Sequence, residues 1–486
     1  MIVSWTDSFA AWRYGKSLFM AAFCAAPLAL AQANPSSAAN PFYGSVTMQP
    51  VSEQELKLSL DDAVQRGLNT NLGLKQAEYA ELNIKGEYNQ ALQEFLPTIT
   101  LTGDTGYYVH NLATLGFGPD LIGDFIAILP PGTNLSGLSL ITRDTLTQGQ
   151  VHYEQTLFSG PAIAGYKAAG AGTRAAHFAK MSARGEVVQQ VATSYLRAIA
   201  AATAVDNARA LEEADRVAYN NAHEAHMAGT TPNIDELRAR VQYQTEQQVR
   251  IAAENLEEKD LILLKREIGV DPGQKIALTD RAPYSELSAQ TPEEVRAIAY
   301  KNRQDYQNLT NQVEELHAVH QAYRAQRLPT VSVRGYYGVM WITSIGSHGN
   351  FSAVGELKFP IFREAELRGN IDASEAQLDS ARAQLDDLRV KIDQQVRSAL
   401  LDVAANQKLV DVARSNVDLA TRALSDQTER VNAGVDNTLP LVYAQASLSS
   451  AQNNFVDSLY QYNVSKLALA RAAGVLEQQY RDYLRK

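Results

Sequence analysis

Two pairs of histidines are the residues of this sequence whose type and spacing could bind a metal ion. His223 with His226, and His317 with His320, are each spaced i, i+3, so both rings of a pair can lie on one face of a helix. A firm zinc site needs three or four protein ligands, and two histidines on one helix supply too few. We therefore expect both pairs to lie on solvated helix faces, and zinc uptake is the alternative that equilibrium dialysis would test.

No other combination of residues points to catalysis. The chain has no phosphate-binding glycine loop, no Ser/His/Asp arrangement and no paired-carboxylate motif, so we predict neither an enzyme nor a bound cofactor. The net charge is −10 and the pI is about 5.4, whereas nucleic-acid-binding proteins need a basic surface. We expect no nucleic-acid partner.

Residues 1–33 have the layout of an export signal. Arg13 and Lys16 precede an apolar run from Leu18 to Leu30, and small residues at the end of that run suit signal peptidase. The run is shorter than the about 20 residues that a membrane-spanning helix needs. The single cysteine, Cys24, lies inside this signal, so the exported chain would have no disulfide or thiol chemistry.

The rest of the chain repeats one plan. FLPTITLTG at 95–103 returns as RLPTVSVRG at 327–335, which is 232 positions later, and 60–74 lies over 292–306 at the same offset. Farther along, the matching positions are 205 apart. The first half therefore contains extra residues between its first strand and its long helix. We place them in a long loop from about Asn111 to Thr145, because loops tolerate insertions.

This repeat predicts the organisation of the chain. An N-terminal extended segment (34–57) follows the signal peptide, and each half then consists of helices, two strands, a long helix, a tip and a further helix. The first repeat is predicted at 58–280, with helices 58–95, strands 97–110 and 146–158, long helix 161–228, tip 229–233 and helix 234–268. The second is predicted at 281–475, with helices 292–327, strands 329–343 and 351–362, long helix 363–433, tip 434–439 and helix 440–473. Residues 476–486 are predicted to form a C-terminal tail.

The predicted strands have two different faces. In the third strand the apolar residues occupy odd positions and the polar residues even positions, which a soluble antiparallel sheet with one wet face would also show. Strands of about 10 to 13 residues with aromatic flanks, behind an export signal, favour an outer-membrane barrel. We expect one set of side chains to face the barrel lumen and another to face lipid. These sets are Arg334, Glu356 and Lys358 for the lumen, and Trp341, Tyr337 and Phe359 for the lipid side and its interfaces.

The long helices predict coiled coils. Residues 363–433 contain no proline, and their apolar residues recur at steps of three and four. A continuous helix there would be about 106 Å long at 1.5 Å per residue. Because a single exposed helix of that length is unstable, these helices must pack on one another.

Two short turns join the long helices to the helices that follow. Gly229 and Gly434 each end a long helix as a C-cap glycine does, and Thr231-Pro232 starts the next helix with a cap and a first-turn proline. We call these turns the tips.

Four strands per chain cannot close a membrane barrel. The smallest membrane barrels have about eight strands. An open edge in lipid leaves backbone groups unpaired, at several kcal/mol each. Several copies must therefore pool their strands.

At this point the sequence resembles the TolC-like outer-membrane efflux proteins over nearly all of the exported chain. No single motif is specific, but the order, spacing and duplication of the motifs are. They are LSLDDAV at 58–64, the two LPT breaks, VHYEQTLFSG at 151–160, GELKFPIF at 355–362, and the tips AGTTPNIDELRAR at 228–240 and AGVDNTLPLVYAQASL at 433–448.

The resemblance implies an α+β membrane protein with long antiparallel coiled-coil helices and four transmembrane strands per chain. It implies a homotrimer whose 12-stranded barrel stands in outer-membrane lipid on an α-helical periplasmic tunnel. It also implies a passive duct for efflux or type I secretion, which works with a periplasmic adaptor protein and with an inner-membrane pump or ABC transporter.

The resemblance further implies a narrow aperture at the tips. Asp235, six residues past Gly229, matches an acidic position that narrows the pore in the family, and we expect Asp436 to line the same constriction. The second half has Pro440 at the position equivalent to Asp235, so the family's ionic gate does not carry over intact. The alternative is that Asp235 only favours a helix N-terminus, which is worth a few tenths to about 1 kcal/mol.

Two other classes of protein compete with the channel. A periplasmic or surface coiled-coil scaffold would need no apolar strand faces of membrane height, and carbonate or high salt would release it without detergent. An adhesin exported through its own barrel would carry the strands at one end of the chain.

The apolar run at 125–129 could cover the mouth of the channel or pack on its rim. The transported substrate cannot be read from the sequence.

Overall fold

The structure is a computed structural model that describes residues 39–111, 130, 141–280, 284–288, 290–343, 346–433, 435 and 438–484. The predicted signal peptide, the apolar run of the first loop, Gly434 and Asp436 lie outside the described residues.

The described chain contains six strands, nine α-helices and one 3-10 turn at Pro41–Tyr43. Each half follows the same order of elements, apart from the terminal helix. In chain order the elements are β1 (Leu56–Leu58), α1 (Leu60–Thr70), α2 (Leu72–Gln93), β2 (Thr98–Asn111), β3 (Ile141–Ser159), α3 (Gly160–Met227), α4 (Asn233–Glu267), β4 (Ile276–Leu278), α5 (Pro292–Asn302), α6 (Gln304–Ala325), β5 (Thr330–Ile342), β6 (Gly346–Lys358), α7 (Glu364–Asn432), α8 (Thr438–Ala472) and α9 (Leu476–Leu484).

The internal duplication is confirmed at the level of helix caps. Ser59 and Thr291, which are 232 positions apart, each cap a helix with a full capping box. Asn71 and Arg303, at the same offset, have extended backbone and divide each predicted helical stretch, 58–95 and 292–327, into two helices. Each half therefore repeats its caps as well as its apolar pattern.

β2, β3, β5 and β6 form one antiparallel sheet in the order β2-β3-β5-β6. Thr100, His152, Tyr336 and Ser352 lie side by side across the four strands, and the neighbouring rows alternate between the two faces. A bulge between Thr156 and Phe158 leaves Leu157 unpaired and places Phe158 opposite Val331. This bulge re-aims Phe158 to the apolar face of the sheet.

Two strands have bounds that differ from the predicted bounds. β3 begins at Ile141, five residues earlier than predicted, because β2 continues to Asn111 and provides partners for it. β6 covers Gly346–Lys358, where 351–362 was predicted, because its last residue pairs with Thr330 and β5 extends no farther. Pro360, just beyond, has no N–H to donate to a ladder.

The long helices pack side by side in the same order as the strands. Near the sheet α2, α3, α6 and α7 are consecutive neighbours, and near the tips α4, α3, α8 and α7 are. α3 with α4, and α7 with α8, form two antiparallel hairpins. Within the residues described, no helix combines the length and the apolar character needed to span a lipid bilayer.

The main apolar core lies midway along the helices. Tyr195, Ile392 and Tyr462 are fully buried there, and Tyr195 donates a hydrogen bond to the carbonyl oxygen of Leu58 at 2.9 Å. The short strands β1 and β4 pair in parallel beside this core, and the N-terminal segment runs along it through bridges from Ser45 to Asn71 and from Gln49 to Val270.

The prediction of a C-terminal tail at 476–486 is wrong for residues 476–484. These residues form α9, in which Leu476, Tyr480, Tyr483 and Leu484 are buried in the main core. Steps of three and four residues place these side chains on one face of the helix. Asp61 accepts hydrogen bonds from Tyr480 and Arg481, each at 2.9 Å, and so joins the C-terminus to the first repeat.

Candidate functional site

The first tip is a tight turn between α3 and α4. Gly229 has a φ of 72°, and its N–H donates to the carbonyl oxygen of His226 at 2.9 Å. The N–H of Thr230 donates to Ala225 O at 3.0 Å, which completes a Schellman motif at the end of α3. The predicted start of α4, with Thr231 as the cap and Pro232 in the first turn, is wrong by one residue: Pro232 is itself the N-cap, and no side chain caps the helix. The turn is therefore closed by its own backbone.

Asp235 lies in the first turn of α4. Its side chain is only 13% exposed and forms an ion pair with Arg238 at 3.4 Å. A negative charge there is favoured by the helix N-terminus. In the single chain the Asp235 charge is thus partly matched by its own helix, and Arg238 must be counted in any account of the charge at the tip.

The first histidine pair faces α4. His223 Nδ1 lies 2.8 Å from Glu236 Oε1, and His226 Nδ1 lies 3.2 Å from the carbonyl oxygen of Thr231. His223 therefore joins the end of α3 to the start of α4, and His226 contacts the turn between them. The sequence could have indicated Glu236 as a partner, because an antiparallel hairpin that turns at 229–230 places 223 opposite 236.

The second histidine pair lies on α6. His320 Nδ1 is 3.0 Å from Ser374 Oγ of α7, and His317 contacts Gln321 of its own helix at 3.4 Å. In the part of the chain that the structure describes, no group of three or more histidine, cysteine or acidic side chains is arranged to hold a metal ion.

The second tip is described only in part. α8 begins at Thr438, two residues before the predicted start, so Pro440 lies inside its first turn. A proline is compatible with that position because the first N–H groups of a helix have no partner within the helix.

The predicted lumen residues share one face of the sheet. Arg334 lies opposite Glu154 on β3 and forms an ion pair with Glu356 on β6 at 3.5 Å. Lys358 is at the helix end of the same face, since it follows Glu356 by two positions. The structure thus places these three side chains on one polar face, together with His152.

The opposite face of the sheet is apolar. Tyr337 lies in a row with Leu101, Val151 and Phe351, and Trp341 lies two rows farther from the helices. Phe359 lies outside β6, in the link to α7, where it is 60% exposed. Tyr337 and Trp341 therefore share the apolar face of the sheet, whereas Phe359 belongs to the linker and not to a strand; that they face lipid stays a prediction.

The long helices carry a second set of apolar side chains that the single chain does not bury. Leu401 on α7 is 71% exposed, although the core-facing Val403 beside it is buried. We call the set on α7 the outer stripe. It consists of Val390, Leu401, Leu409, Val412 and Leu419, and α4 has a comparable set at Ile234, Leu237, Val241, Ile251 and Ile262.

Comparison with known proteins gave one family and several solved structures. The sequence matches the family described as "Outer membrane efflux protein" over residues 63–270 and 296–475. Comparison with curated proteins gave no match.

The solved structures share the fold at low sequence identity. The Campylobacter jejuni CmeC outer membrane channel is 16% identical, with a TM-score of 0.72 over 90% of this chain and 92% of that one. A membrane protein from Pseudomonas aeruginosa is 19% identical, with a TM-score of 0.72 over 85% and 93%. The open state of the Neisseria gonorrhoeae MtrE outer membrane channel is 18% identical, with a TM-score of 0.69 over 89% and 95%.

Proposed function

This chain belongs to the outer membrane efflux protein family and is located in the outer membrane, and we propose that it forms the exit channel of a tripartite efflux or type I secretion system. In this function it conducts substrates passively from the periplasm to the outside. The chain contains no nucleotide-binding motif, so the energy for transport has to come from a partner.

The sheet carries this proposal. It has one apolar and one polar face, and its outer strands β2 and β6 have no neighbour on their far sides within the described residues. Unpaired edges cannot stand in lipid, so β6 of one copy has to pair with β2 of the next. Three copies give the 12-stranded barrel of the predicted homotrimer, with Arg334, Glu356 and Lys358 on the lumen side.

The outer stripe of α7 and the exposed apolar set of α4 support the same assembly below the membrane. Long helices with apolar side chains on two faces require partners on both sides. The neighbours within the chain cover the first face, and neighbouring copies would cover the outer stripe of α7 and the exposed apolar set of α4. The helices then enclose a tunnel that continues the barrel lumen.

The tips are the proposed aperture and the place where a periplasmic adaptor and an inner-membrane pump or ABC transporter act. Threefold symmetry would bring three copies of Asp235 and three of Asp436 around the axis. Arg238 is paired with Asp235 and would moderate this negative ring. We propose that the balance between Asp235 and Arg238 sets the affinity of the aperture for cations.

Cysteine cross-linking tests the assembly. One cysteine replaces Thr98, Thr100 or Thr102 on β2, and a second replaces Asn350, Ser352 or Val354 on β6, so that both lie on the polar face. Oxidation in outer membranes should yield covalent trimers for at least one combination. The matched control replaces Phe351, which lies on the opposite face, and should give none.

Conductance tests the aperture. Single channels of the purified protein in planar bilayers should conduct, and Asp235→Ala should change the conductance and weaken block by multivalent cations. An unchanged conductance and an unchanged block in Asp235→Ala would exclude Asp235 from the constriction.

Extraction of membranes tests the channel against the scaffold. Release of the protein by carbonate without detergent would favour a coiled-coil scaffold over a channel.

A further inference from the structure

The seam between α3 and α4 contains a pair of buried acids above the first tip. Asp215 of α3 is 2% exposed and Glu246 of α4 is 4% exposed, and Glu246 lies close enough for its charge to act on Asp215. Toward the tip, Tyr219 stacks on Tyr243 with ring centroids 6.2 Å apart. Toward the membrane, Leu211 is buried in the same seam. The two acids are thus flanked by a tyrosine stack on one side and a buried leucine on the other.

These carboxyl groups have too few hydrogen-bond donors. Both carboxylate oxygens of Asp215 and Oε2 of Glu246 are buried without a hydrogen-bond partner. Gln242 lies between them and donates from Nε2 to Glu246 Oε1 at 3.3 Å. One amide cannot satisfy four carboxylate oxygens, and an unsatisfied buried carboxylate is costly.

In the described parts of α3 and α4, the arginines that follow the seam are paired with other acids. On α3, Arg216 is paired with Glu213 at 2.6 Å and Arg209 with Glu254 at 3.0 Å. On α4, Arg250 is paired with Glu212 and with Glu254.

Arg240 and the neighbouring helix α8 also provide no positive charge to the two acids. Arg240 of α4 is exposed and lies two residues before Gln242, which places it on the opposite side of the helix. α8, which also packs on α3, has no Asp, Glu, Lys, Arg or His between Thr438 and Val456.

The charge state of the pair follows from these contacts. Burial raises the pKa of Asp215 to about 6; the nearby amide of Gln242 opposes this rise, and the charge of the neighbouring Glu246 adds to it. Burial also raises the pKa of Glu246. Two carboxylates in one dry seam repel each other, so the packed hairpin favours a state in which at least one of them carries a proton.

We propose that Asp215 and Glu246 form a proton-binding site that keeps the first tip hairpin packed in acid and loosens it as the pH rises. A proton on either carboxyl removes one of the two buried charges and with it their mutual repulsion. When the proton leaves, two charges remain in an apolar seam, and the hairpin opens to hydrate them.

The packed and the opened hairpin differ in their affinity for a proton. The packed hairpin binds a proton more tightly than the opened hairpin does, so the proton is lost on opening between the ordinary Asp pKa of 3.8 and about 6. Stability of the packing is therefore greatest at low pH and decreases as the pH rises through this window. For Asp215 alone, the equilibrium constant for opening increases about tenfold between pH 5 and pH 8.

The site lies close enough to the first tip for its packing to affect the tip. Asp215 precedes the end of α3 at Met227 by twelve residues, which is about 18 Å along the helix. Beyond it the hairpin is held by the Tyr219–Tyr243 stack, by the contacts of His223 and His226, and by the turn itself. On the proposed channel function, on which this step rests, acid would stiffen the tip and reduce opening of the aperture.

Hydrogen exchange on the full-length protein in detergent tests the site. After correction for intrinsic exchange, amides of residues 208–222 and 239–250 should lose about tenfold in protection between pH 5 and pH 8. Asp215→Asn should keep the protection of pH 5 at both pH values. Glu224→Gln, which removes one exposed charge from the same helix, should behave like the wild type.

Two results would overturn the proposal. One is a wild-type seam whose corrected protection does not change with pH, and the other is the same pH dependence in Asp215→Asn as in the wild type. Glu246→Gln is the second variant, and it should also flatten the dependence if Asp215→Asn does not fold.

Conductance separates this proposal from the proposed function. At pH 8 the Asp215→Asn channel should open at least about twofold less often than the wild type, and at pH 5 the two should agree. Equal opening at pH 8 would contradict the link to the aperture. A protein that conducts at no pH would contradict the channel function and leave the exchange result to decide the proton site.

Discussion

At the scale of single residues, two glycines that follow helices are required for different reasons. Gly229 and Gly269 both have a φ of 72° and end α3 and α4. A Cβ added to Gly229 would meet no atom within 4 Å, whereas one added to Gly269 would lie 2.7 Å from both Ser45 Oγ and Thr47 O. The first position requires only a left-handed backbone, and the second also requires space for the N-terminal segment.

This difference predicts unequal effects of alanine. Gly229→Ala should cost about 1 to 2 kcal/mol, the ordinary penalty of a left-handed residue with a side chain. Gly269→Ala should cost more, because the backbone of the N-terminal segment also has to move. Thermal unfolding in detergent measures both, and equal shifts in apparent Tm would contradict the structure. Gly86→Ala, at an uncrowded helical position, is the control and should stabilise by about 0.5 to 1 kcal/mol.

At the scale of the elements, α9 ties the end of the chain to its beginning. Leu484 is 1% exposed and belongs to the main core, and Arg481 pairs with Asp61 of α1 at 2.9 Å. A nine-residue helix is too short to be stable alone, so its stability comes from this packing.

Truncation of the core contact should therefore destabilise the whole middle of the molecule. Leu484→Ala should cost about 2 to 5 kcal/mol, as for other buried leucines. Gln479→Ala, an exposed position of the same helix, should change stability by less than about 0.5 kcal/mol. Apparent Tm in detergent compares the two variants, and a Leu484→Ala protein as stable as the Gln479→Ala protein would show that α9 does not support the core.

Sequence periodicity predicted the large elements but not the small ones. Strand alternation and the long runs of helical spacing extend over many residues, so errors at single positions average out. β1 and β4 have three residues each, which is too few for a pattern, and their pairing depends on the core beside them. α9 was missed for the same reason, although Leu476, Tyr480, Tyr483 and Leu484 have helical spacing. The division at Asn71 could have been predicted, since asparagine is a strong N-cap residue.

The candidate site was less accessible to sequence reasoning. The tip turn follows from local rules, because Gly229 and Pro232 act on their own neighbours in the chain. The partners across the hairpin do not, since Glu236 for His223 and Glu246 for Asp215 depend on the register between two helices. Once the turn is fixed at 229–230, position 223 lies opposite 236 and position 215 lies opposite a residue two positions from Glu246. Both partners could therefore have been predicted only after the turn had been placed.

At the scale of the whole molecule, the exposed apolar side chains decide how many copies make a functional unit. Leu401 and Val412 of the outer stripe are 71% and 58% exposed, so they add little to the stability of one chain. In the proposed trimer they lie against a neighbouring copy, where burial of each such side chain contributes about 1.5 to 3 kcal/mol. The assembly and the fold of one chain should therefore respond differently to the same substitutions.

The double variant Leu401→Glu with Val412→Glu tests this separation. Because both positions lie on the outside of α7, the helix content should stay unchanged, while six charges placed in the three interfaces of a trimer should shift the protein to monomers in mild detergent. Ala404→Glu is the matched control, since it adds a charge at an exposed position of α7 about a quarter-turn from the outer stripe, and it should remain trimeric. Light scattering coupled to size-exclusion chromatography measures the mass, and circular dichroism measures the helix content. A double variant that stays trimeric would place the contact between copies elsewhere on the helices, and a wild-type protein that is monomeric would remove the basis of the shared barrel.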